Sequence, residues 1–350
     1  MIAFSSDHHF HPYTQFAQTV AGLSSRLAEM LAVEDALDSA LTHTKDCRVH
    51  IRCGDLFDKK HTLDAVMASE VACRLAERNR EDVILRGNHD VALGDRSTLE
   101  FLEIARAKVV DVRSGPTVWE DDDAYVSLIP YHDEGDWVAK SVAATVRPTD
   151  KRMRILVAHC AVEGAKTSSE YPLPYEVTLA ELQPALWDLV VLGHVHEPQN
   201  LLPNVLYVGS FCQRSFADEG SGRSWLSVNP GDRTWERVPL PGPRFHTVVL
   251  RNASDLESTD PRQLSVADYY RVQCPGHLLD AARERYEGPR VTVQAVVDPV
   301  TEATAPRLSR EGQSWNDLVS AYVKQRAPGD LDSEQLKTIG WEIISDGSGV

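Results

Sequence analysis

Short apolar runs alternate with helically spaced apolar positions along the first third of the chain. Three runs end in turn-type residues and predict buried strands: Ile2-Ala3-Phe4, Val49 to Cys53 and Val83 to Leu85. Leucines and methionines at three- and four-residue spacing predict helices after these strands, within Gln15 to Thr44, Leu63 to Leu75 and Thr98 to Ala107. This alternation of strands and helices is typical of α/β proteins.

The pattern changes after Val118, where short strands are separated by Pro, Gly and Asp turns. These strands predict a second, more antiparallel sheet, and they lie at Ala124 to Ile129, Leu206 to Val208, Ser224 to Val228 and Glu236 to Leu240. Two fully apolar runs, Ile155 to Ala158 and Leu189 to Leu192, indicate further buried strands.

A proline-rich segment, Pro239 to Pro243, predicts a linker to a smaller second unit. Residues 244–298 contain three strands and one helix, which predicts an α+β domain: His246 to Leu250, Tyr269 to Gln273, Leu278 to Tyr286 and Val291 to Val297. Residues 299–313 predict a second linker. Residues 314–345 predict two short helices, the first with an apolar stripe at helical spacing: Trp315, Leu318, Val319, Tyr322 and Val323.

Composition and charge limit the size of the core, the cellular location and the kinds of partner that the chain can have. A chain of 350 residues that is 42% hydrophobic can bury a large core. We expect a cytoplasmic protein without a membrane span, since the six cysteines form no CxxC pair and no run approaches the ~20 apolar residues of a span. The N-terminus leads straight into a strand, so we expect no cleaved signal. The net charge of −16 argues against broad coating of a polyanion, but divalent ions or a partner subunit could supply positive charge at a nucleic-acid substrate.

Polar residues with metal-ligand chemistry directly follow five of the predicted strands. They are Asp7-His8-His9, Gly54-Asp55, Gly87-Asn88-His89-Asp90, His159-Cys160 and Gly193-His194-Val195-His196. Ligand-binding groups in α/β sheets collect beyond the carboxyl ends of strands. Oxygen and imidazole donors without thiolate suit Mn²⁺, Fe²⁺ or Zn²⁺, and two ions about 4 Å apart stabilise both oxygens of a phosphoryl displacement. The sequence therefore predicts a two-metal site for phosphoester hydrolysis.

These five segments, in this order, resemble the signature of calcineurin-like metallophosphoesterases, over residues 1 to about 230. Within that superfamily the chain looks most like the SbcD-type DNA repair nucleases. The segments that carry this narrower resemblance are Gly54 to Asp58, Ile129 to Tyr131, Tyr207 to Ser210 and Ser215 to Glu219. The resemblance implies a two-sheet metallophosphoesterase sandwich flanked by helices over residues 1–238, a DNA-capping role for residues 244–298, and binding of an SbcC-type coiled-coil ATPase by residues 314–345.

The resemblance also implies roles for individual residues. One ion would be held by Asp7, His9, Asp55 and His196, and the second by Asp55, Asn88, His159 and His194. Asp55 would bridge the two ions. His89 would be a non-ligand acid or phosphate-orienting group, with Asp90 as its hydrogen-bonding partner. Asp58 stands where some relatives carry a second active-site histidine, and its role is left open.

The resemblance implies a two-metal DNA nuclease, using Mn²⁺, that acts as an exonuclease on duplex ends and as an endonuclease on single strands or hairpins. It would act as a homodimer within a complex with the ATPase subunit. One alternative is a phosphodiesterase for cyclic nucleotides or other small phosphoesters, although a minimal enzyme of that kind has little need of the residues beyond the linker. Another is a non-catalytic scaffold, although the ligand set is complete.

Overall fold

The structure, a computed structural model, describes residues 1–296 apart from 21, 45, 94–95, 106, 112–114 and 167–172, together with residues 320, 336 and 337. The strands within these residues are β1 (Ile2–Ser5), β2 (Thr19–Val20), β3 (Leu23–Ser24), β4 (Val49–Arg52), β5 (Glu81–Leu85), β6 (Lys108–Val110), β7 (Thr117–Glu120), β8 (Ala124–Ile129), β9 (Met153–His159), β10 (Leu189–Gly193), β11 (Gln199–Leu202), β12 (Val205–Tyr207), β13 (Ser224–Asn229), β14 (Thr234–Pro239), β15 (Phe245–Val249), β16 (Tyr269–Cys274) and β17 (Val291–Ala295). The α-helices are α1 (Ser25–His43), α2 (Ala65–Ala76), α3 (Trp137–Ala144), α4 (Ala253–Ser258) and α5 (Leu279–Tyr286).

The first large sheet has the strand order β14-β13-β1-β4-β5-β6. Strands β1, β4, β5 and β6 pair in parallel, and β13 and β14 extend the sheet in antiparallel fashion. Side chains alternate across β1, because successive residues of a strand point to opposite faces. Ile2 and Phe4 enter the core between the two large sheets, whereas Ala3 faces the helices.

The second large sheet has the order β11-β12-β10-β9-β8-β7. Its four central strands, β8, β9, β10 and β12, pair in parallel, and only the edge strands β7 and β11 are antiparallel. The prediction of a more antiparallel second sheet is therefore wrong, and β13 and β14, assigned to it from the sequence, belong to the first sheet. The physical reason is that β8, β9 and β10 are buried on both faces, as strands of parallel sheets are.

The two sheets pack face to face and are covered by helices on their outer faces. Apolar residues from both sheets, such as Ile51 and Val157, form the central core. Helices α1 and α2 cover the first sheet, and α3, which the sequence did not predict, covers the second through Val138 and Val142. The predicted fold class, an α/β two-sheet sandwich flanked by helices, is confirmed. None of the helices in the described part of the chain is long and apolar enough to cross a lipid bilayer.

Two predicted helices differ in the structure. The first begins only at Ser25, because the hairpin β2–β3 precedes it and Gly22 takes a left-handed backbone with φ of 84° in the turn. The third is a 3₁₀ helix, Glu100–Ala105, rather than an α-helix.

Beyond the proline-rich segment, strands β15, β16 and β17 form a parallel three-stranded sheet. Helix α5 packs on it through Ala282 and Tyr286. We call residues 245–295 the α+β unit. It contacts α1, where the Tyr269 hydroxyl donates a hydrogen bond to Glu29 at 2.5 Å and Arg290 forms an ion pair with the same carboxylate. The predicted linker 299–313 lies outside the described residues. Of the predicted segment 314–345, only residues 320, 336 and 337 are described, each with helical backbone.

Candidate metal centre

The five polar segments meet at one edge of the sandwich because the strands before them run in parallel. In the first sheet Ser5 pairs with Arg52, and Arg52 pairs with Ile84. In the second sheet His159 pairs with Gly193. The carboxyl ends of β1, β4, β5, β9 and β10 are thereby aligned, which gathers the predicted ligands from two sheets at a single location.

The first group of donor atoms contains the four residues predicted to hold one ion. The Nε2 atom of His9 lies 3.2 Å from Nε2 of His196, 3.8 Å from Oδ1 of Asp7 and 3.5 Å from Oδ2 of Asp55. Nε2 of His196 lies 3.9 Å from the same Asp7 oxygen. The side chains of Asp7, His9 and Asp55 are buried.

The second group contains the residues predicted to hold the other ion. Oδ1 of Asn88 lies 3.0 Å from Nε2 of His159 and 3.0 Å from Nδ1 of His194. Nε2 of His159 lies 3.4 Å from Oδ2 of Asp55. The same Asp55 oxygen therefore faces both groups, which is the position that a bridging carboxylate takes.

The donor set fits divalent cations on two grounds. Donor atoms about 2.1 Å from a common ion lie roughly 3.0 to 3.4 Å from one another, close to the shorter separations here. The second ground is the chemistry of His159, whose Nδ1 donates to the carbonyl of Cys53 at 2.7 Å. In the neutral ring the lone pair of Nε2 then faces the acceptor oxygens of Asn88 and Asp55, an arrangement that a cation or a proton would stabilise.

Four of the predicted ligands have left-handed backbone conformations. The φ angles are 52° at Asp7, 48° at His9, 54° at Asp55 and 96° at His194. Such conformations cost about 1 to 3 kcal/mol each in non-glycine residues and cluster at functional sites. Here surrounding hydrogen bonds hold them, including the His194 amide, which donates to the Asp7 carboxylate at 3.1 Å.

Three of the motifs contain a glycine at which another segment of the chain comes too close for a side chain to fit. An added Cβ at Gly54 would lie closer than 3.0 Å to the His159 ring, and one at Gly87 would lie as close to the Asp55 carboxylate. At Gly193 it would meet the Cys53 carbonyl. Glycine at these positions lets neighbouring segments come near enough for their ligands to meet.

Burial and neighbouring charge shift the pKa values of the candidate ligands. Burial lowers the pKa of both His9 and His194 to about 4, so both rings are neutral and able to bind metal at physiological pH. Burial also disfavours charge on His159, but the adjacent Asp55 carboxylate outweighs it and raises the pKa of His159 to about 9. Burial likewise opposes charge on Asp55, yet His159 holds the pKa of that carboxyl below its usual range.

The structure corrects the role assigned to Asp90. Its carboxylate accepts hydrogen bonds from the amides of Gly87 at 2.9 Å, Phe57 at 3.1 Å and Leu56 at 3.2 Å, and it does not pair with His89. Burial and the nearby Asp55 carboxylate raise the pKa of Asp90 to about 7. Asp90 therefore ties the second and third motifs together instead of acting on the His89 ring.

His89 instead lies with Nδ1 2.5 Å from the carbonyl oxygen of Asp58. Because a carbonyl can only accept, Nδ1 carries the proton of that hydrogen bond. The ring packs edge-on against His9, with 4.7 Å between ring centroids.

The side chain of Asp58, whose role the sequence left open, contacts the predicted ligand His9, and with His9 and His89 it forms a further group of donor atoms that could hold an ion. Its Oδ1 lies 3.4 Å from Nδ1 of His9, accepts the Tyr13 hydroxyl at 3.2 Å, and pairs with Nη1 of Arg214 at 2.9 Å. A carboxylate on the far nitrogen of a metal-binding imidazole fixes its tautomer and orientation. Asp218 has the same relation to His196, at 3.2 Å from Nδ1.

Sequence reasoning missed Tyr13, Arg214 and Asp218 as residues of this site. Asp218 lies inside the segment quoted for the narrower resemblance, where Ser215 begins a short 3₁₀ helix with a capping box. That capping pattern was the available signal for a fixed carboxylate, although nothing in the spacing indicated that it would reach His196.

Residues 1–198 of the 350 match the calcineurin-like phosphoesterase family, and the chain belongs to that family. A comparison with curated proteins gave no match. Membership supports metal-dependent hydrolysis of phosphoesters, for which the His/Asp groups described above offer possible metal sites. The prediction of a calcineurin-like metallophosphoesterase is confirmed at this level.

Proposed function

We propose that the protein is a two-metal-dependent DNA nuclease, the catalytic subunit of an SbcCD-like repair complex, acting as an exonuclease on duplex ends and as an endonuclease on single strands or hairpins. The observation that carries this proposal is the attachment of the α+β unit to the segment that supports His196. We call residues 213–219 the bridging segment.

The bridging segment has contacts on both sides. Toward the metal centre, Asp218 lies against His196. Toward the α+β unit, the side-chain oxygen of Gln213 accepts the Phe245 amide at 2.8 Å, and the Glu219 carboxylate accepts both the amide and the hydroxyl of Thr247 at 2.5 Å. A substrate at the metal centre would therefore lie beside a second folded unit. An extended polymer can contact this second unit while it is bound at the metal centre, whereas a cyclic nucleotide has little need of such a contact.

Partly exposed arginines beside the metal centre support contacts with a polyanionic substrate despite the net charge of −16. They are Arg214, Arg271 and Arg290, with side chains 21%, 29% and 30% exposed, and each is paired with a carboxylate. Two divalent ions would add further positive charge at the reacting phosphate. The partner subunit of the proposed complex would supply additional phosphate contacts along the DNA.

The chain's own residues have distinct roles in the proposed reaction. Asp58 and Asp218 orient His9 and His196, and Asp55 stands between the two ligand groups. When bound, the divalent ions, most suitably Mn²⁺, lower the pKa of water toward about 7 and offset negative charge on the phosphate. His89 keeps its Nδ1 proton on the Asp58 carbonyl. With both ring nitrogens protonated it would donate the Nε2 proton to the leaving oxygen and become neutral, a role that typically contributes about 10² to 10⁴-fold.

The test compares DNA with small phosphoesters. Purified protein with Mn²⁺ is incubated with labelled linear duplex, hairpin and single-stranded DNA, and in parallel with a cyclic nucleotide, bis(p-nitrophenyl) phosphate and p-nitrophenyl phosphate. The proposal expects cleavage of DNA, preference for DNA over the small diesters in competition, and binding that weakens steeply with salt as counterions are released. Efficient hydrolysis of the cyclic nucleotide with intact linear and hairpin DNA would favour the phosphodiesterase alternative.

The proposed partner is an SbcC-type coiled-coil ATPase, bound through residues 314–345, with the complex formed as a homodimer in the cytoplasm. The support is the apolar stripe that begins at Trp315, beyond a proline-containing stretch that suits a tether. Ending the chain near Pro306 should leave Mn²⁺-dependent nuclease activity intact and abolish co-purification with the ATPase. Undiminished co-purification of the shortened chain would contradict this assignment.

A further inference from the structure

We propose that Arg214 binds the substrate phosphate directly, as the protein's own cation beside the two metal ions. This inference rests on the proposed function only in taking a metal-loaded centre that binds phosphate, and it depends neither on turnover nor on DNA as the substrate. It goes beyond the predicted ligand set, in which Arg214 has no place.

The position of Arg214 is fixed from several sides. Its Nη1 donates to Asp58 at 2.9 Å, and its backbone amide donates to Asp218 at 2.8 Å. Its own carbonyl accepts a hydrogen bond from Arg26 at 2.8 Å. The guanidinium is therefore held in place before any substrate arrives, and pre-organised donors lose little conformational freedom on binding.

The guanidinium lies at the edge of the metal centre. Its Nη2 atom is 3.1 Å from Nδ1 and 3.3 Å from Nε2 of His196. Neither ring nitrogen can accept a hydrogen bond from it once His196 binds metal. The Nδ1 proton is then directed at Asp218, and the Nε2 lone pair is directed at the ion, among the donor atoms of His9 and Asp7.

Arg214 consequently has donors without acceptors. Of the five N–H groups of a guanidinium, the pair on Nη1 faces Asp58, the pair on Nη2 faces a ring that cannot accept, and Nε has no hydrogen-bond partner in the described part of the chain. Oδ2 of Asp218 lies 3.8 Å from Nε, beyond hydrogen-bonding distance. Nε and Nη2 lie on one side of the planar group, and Nε itself is buried. The phosphate contact that we propose is therefore made through Nη2, with the guanidinium charge beside it.

The same geometry gives a physical reason for an aspartate at position 58. A carboxylate there both orients His9 and neutralises part of the charge of Arg214. An imidazole could not anchor a guanidinium in this way, because a neutral ring offers a single lone pair and a protonated ring offers none. Asp58 and Arg214 thus form one unit in which the carboxylate positions the arginine and the arginine binds the phosphate.

The experiment measures binding of phenylphosphonate, a phosphate analogue that cannot be hydrolysed, by calorimetry to the Mn²⁺-loaded full chain. Arg214→Gln removes the charge and keeps much of the side-chain volume, and Arg214→Lys keeps the charge without the planar guanidinium. Arg154→Gln is the matched control, because the Arg154 side chain also pairs with an aspartate, Asp188. Arg154 lies near the start of β9, at the end of the strand away from the predicted ligand His159. Bound Mn²⁺ is counted in every variant.

We expect Arg214→Gln to retain its Mn²⁺ and to weaken phenylphosphonate binding roughly 10- to 100-fold, the range for charge-assisted hydrogen bonds. Arg214→Lys should fall between Gln and wild type, and Arg154→Gln should match wild type. With bis(p-nitrophenyl) phosphate, Arg214→Gln should lose kcat/KM by a similar factor.

Three results would overturn the assignment. These are binding by Arg214→Gln within about twofold of wild type, loss of Mn²⁺ from that variant, and absence of binding by the wild-type protein. Loss of Mn²⁺ would mean that Arg214 acts by holding His196. The binding measurement is independent of turnover, so a protein that binds phenylphosphonate through Arg214 but hydrolyses no phosphoester would refute the proposed function and leave this inference standing.

Discussion

A buried ion pair lies beneath the metal centre, and breaking it should destabilise the whole sandwich. Arg52, at the end of β4, is 1% exposed and forms two hydrogen bonds to Glu34 of α1, at 2.7 and 3.2 Å. It also contacts Asp82 at 3.3 Å and His8 at 2.8 Å. Since His8 stands between two predicted metal ligands, this pair connects the helix layer to the metal-binding segment. The perturbation that we consider is Arg52→Met, which keeps apolar volume and removes the charge.

The expected loss in free energy of unfolding follows from the buried negative charge that Arg52→Met leaves without its partner. Arg52 and Arg78 balance Glu34 and Asp82, and all four side chains are at most 4% exposed. Removing one partner of a buried pair typically costs about 3 to 5 kcal/mol, because the other charge stays buried without compensation. Arg78 still contacts both carboxylates, so we expect about 3 kcal/mol. Arg52→Met/Glu34→Gln restores the balance and should recover part of that loss.

The assay is urea unfolding in EDTA, which keeps metal binding from adding stability. With an m value of roughly 3 kcal/mol/M, the midpoint for Arg52→Met should fall by about 1 M. The control is Arg48→Met, which removes a partly exposed pair with Asp121 and Asp123 and should cost only about 0 to 1 kcal/mol.

The pH dependence has a definite sign. Arg52 and Arg78 hold the pKa of Glu34 below its usual range despite burial, so this contribution to stability is present above the ordinary glutamate pKa and is lost as pH falls through the lowered one. The variant should therefore approach wild type in acid. Equal midpoint shifts for Arg52→Met and Arg48→Met, or a double variant no more stable than Arg52→Met, would refute the reasoning.

Three further predictions concern the metal centre. Asp55→Asn should lower the stoichiometry from about two Mn²⁺ per chain and reduce hydrolysis by orders of magnitude, and near-normal metal content measured by mass spectrometry would argue against a bridging role. His89→Ala should keep its metals and lose about 10² to 10⁴-fold in turnover, whereas an ion missing from its crystal structure would place His89 among the ligands. In the metal-free protein the pKa of His159 is raised to about 9, above the pKa of about 6.5 in the unfolded chain. Protonation of His159 therefore stabilises the fold fully below about pH 6.5, and this stabilisation is lost as pH rises through about 9. Mn²⁺ binding near pH 7.5 should therefore release roughly one proton from His159, and calorimetry in buffers of different ionisation enthalpy that detects no proton release would contradict this.

The elements nearest the candidate site could be predicted from the sequence because they are local. The apolar runs at β1, β4, β5, β9 and β10 end in turn residues, and chain direction alone places the residues that follow at the carboxyl ends of their strands. The candidate ligand set came from this pattern together with the resemblance to calcineurin-like enzymes. The structure brings all seven of those residues into two adjoining groups.

Only the tertiary structure decided which strands pair and which side chains meet across the chain. The pattern of β13 indicated a strand, but its pairing with β1 joins residues more than 220 positions apart, and local hydrophobicity carries no information about such a partner. The roles of Asp90 and Asp58 depended on backbone amides and on Arg214, 156 residues beyond Asp58. A carboxylate is bound by whichever donors the folded chain brings within about 3 Å, so its function is a property of the assembled neighbourhood and not of its place in the sequence.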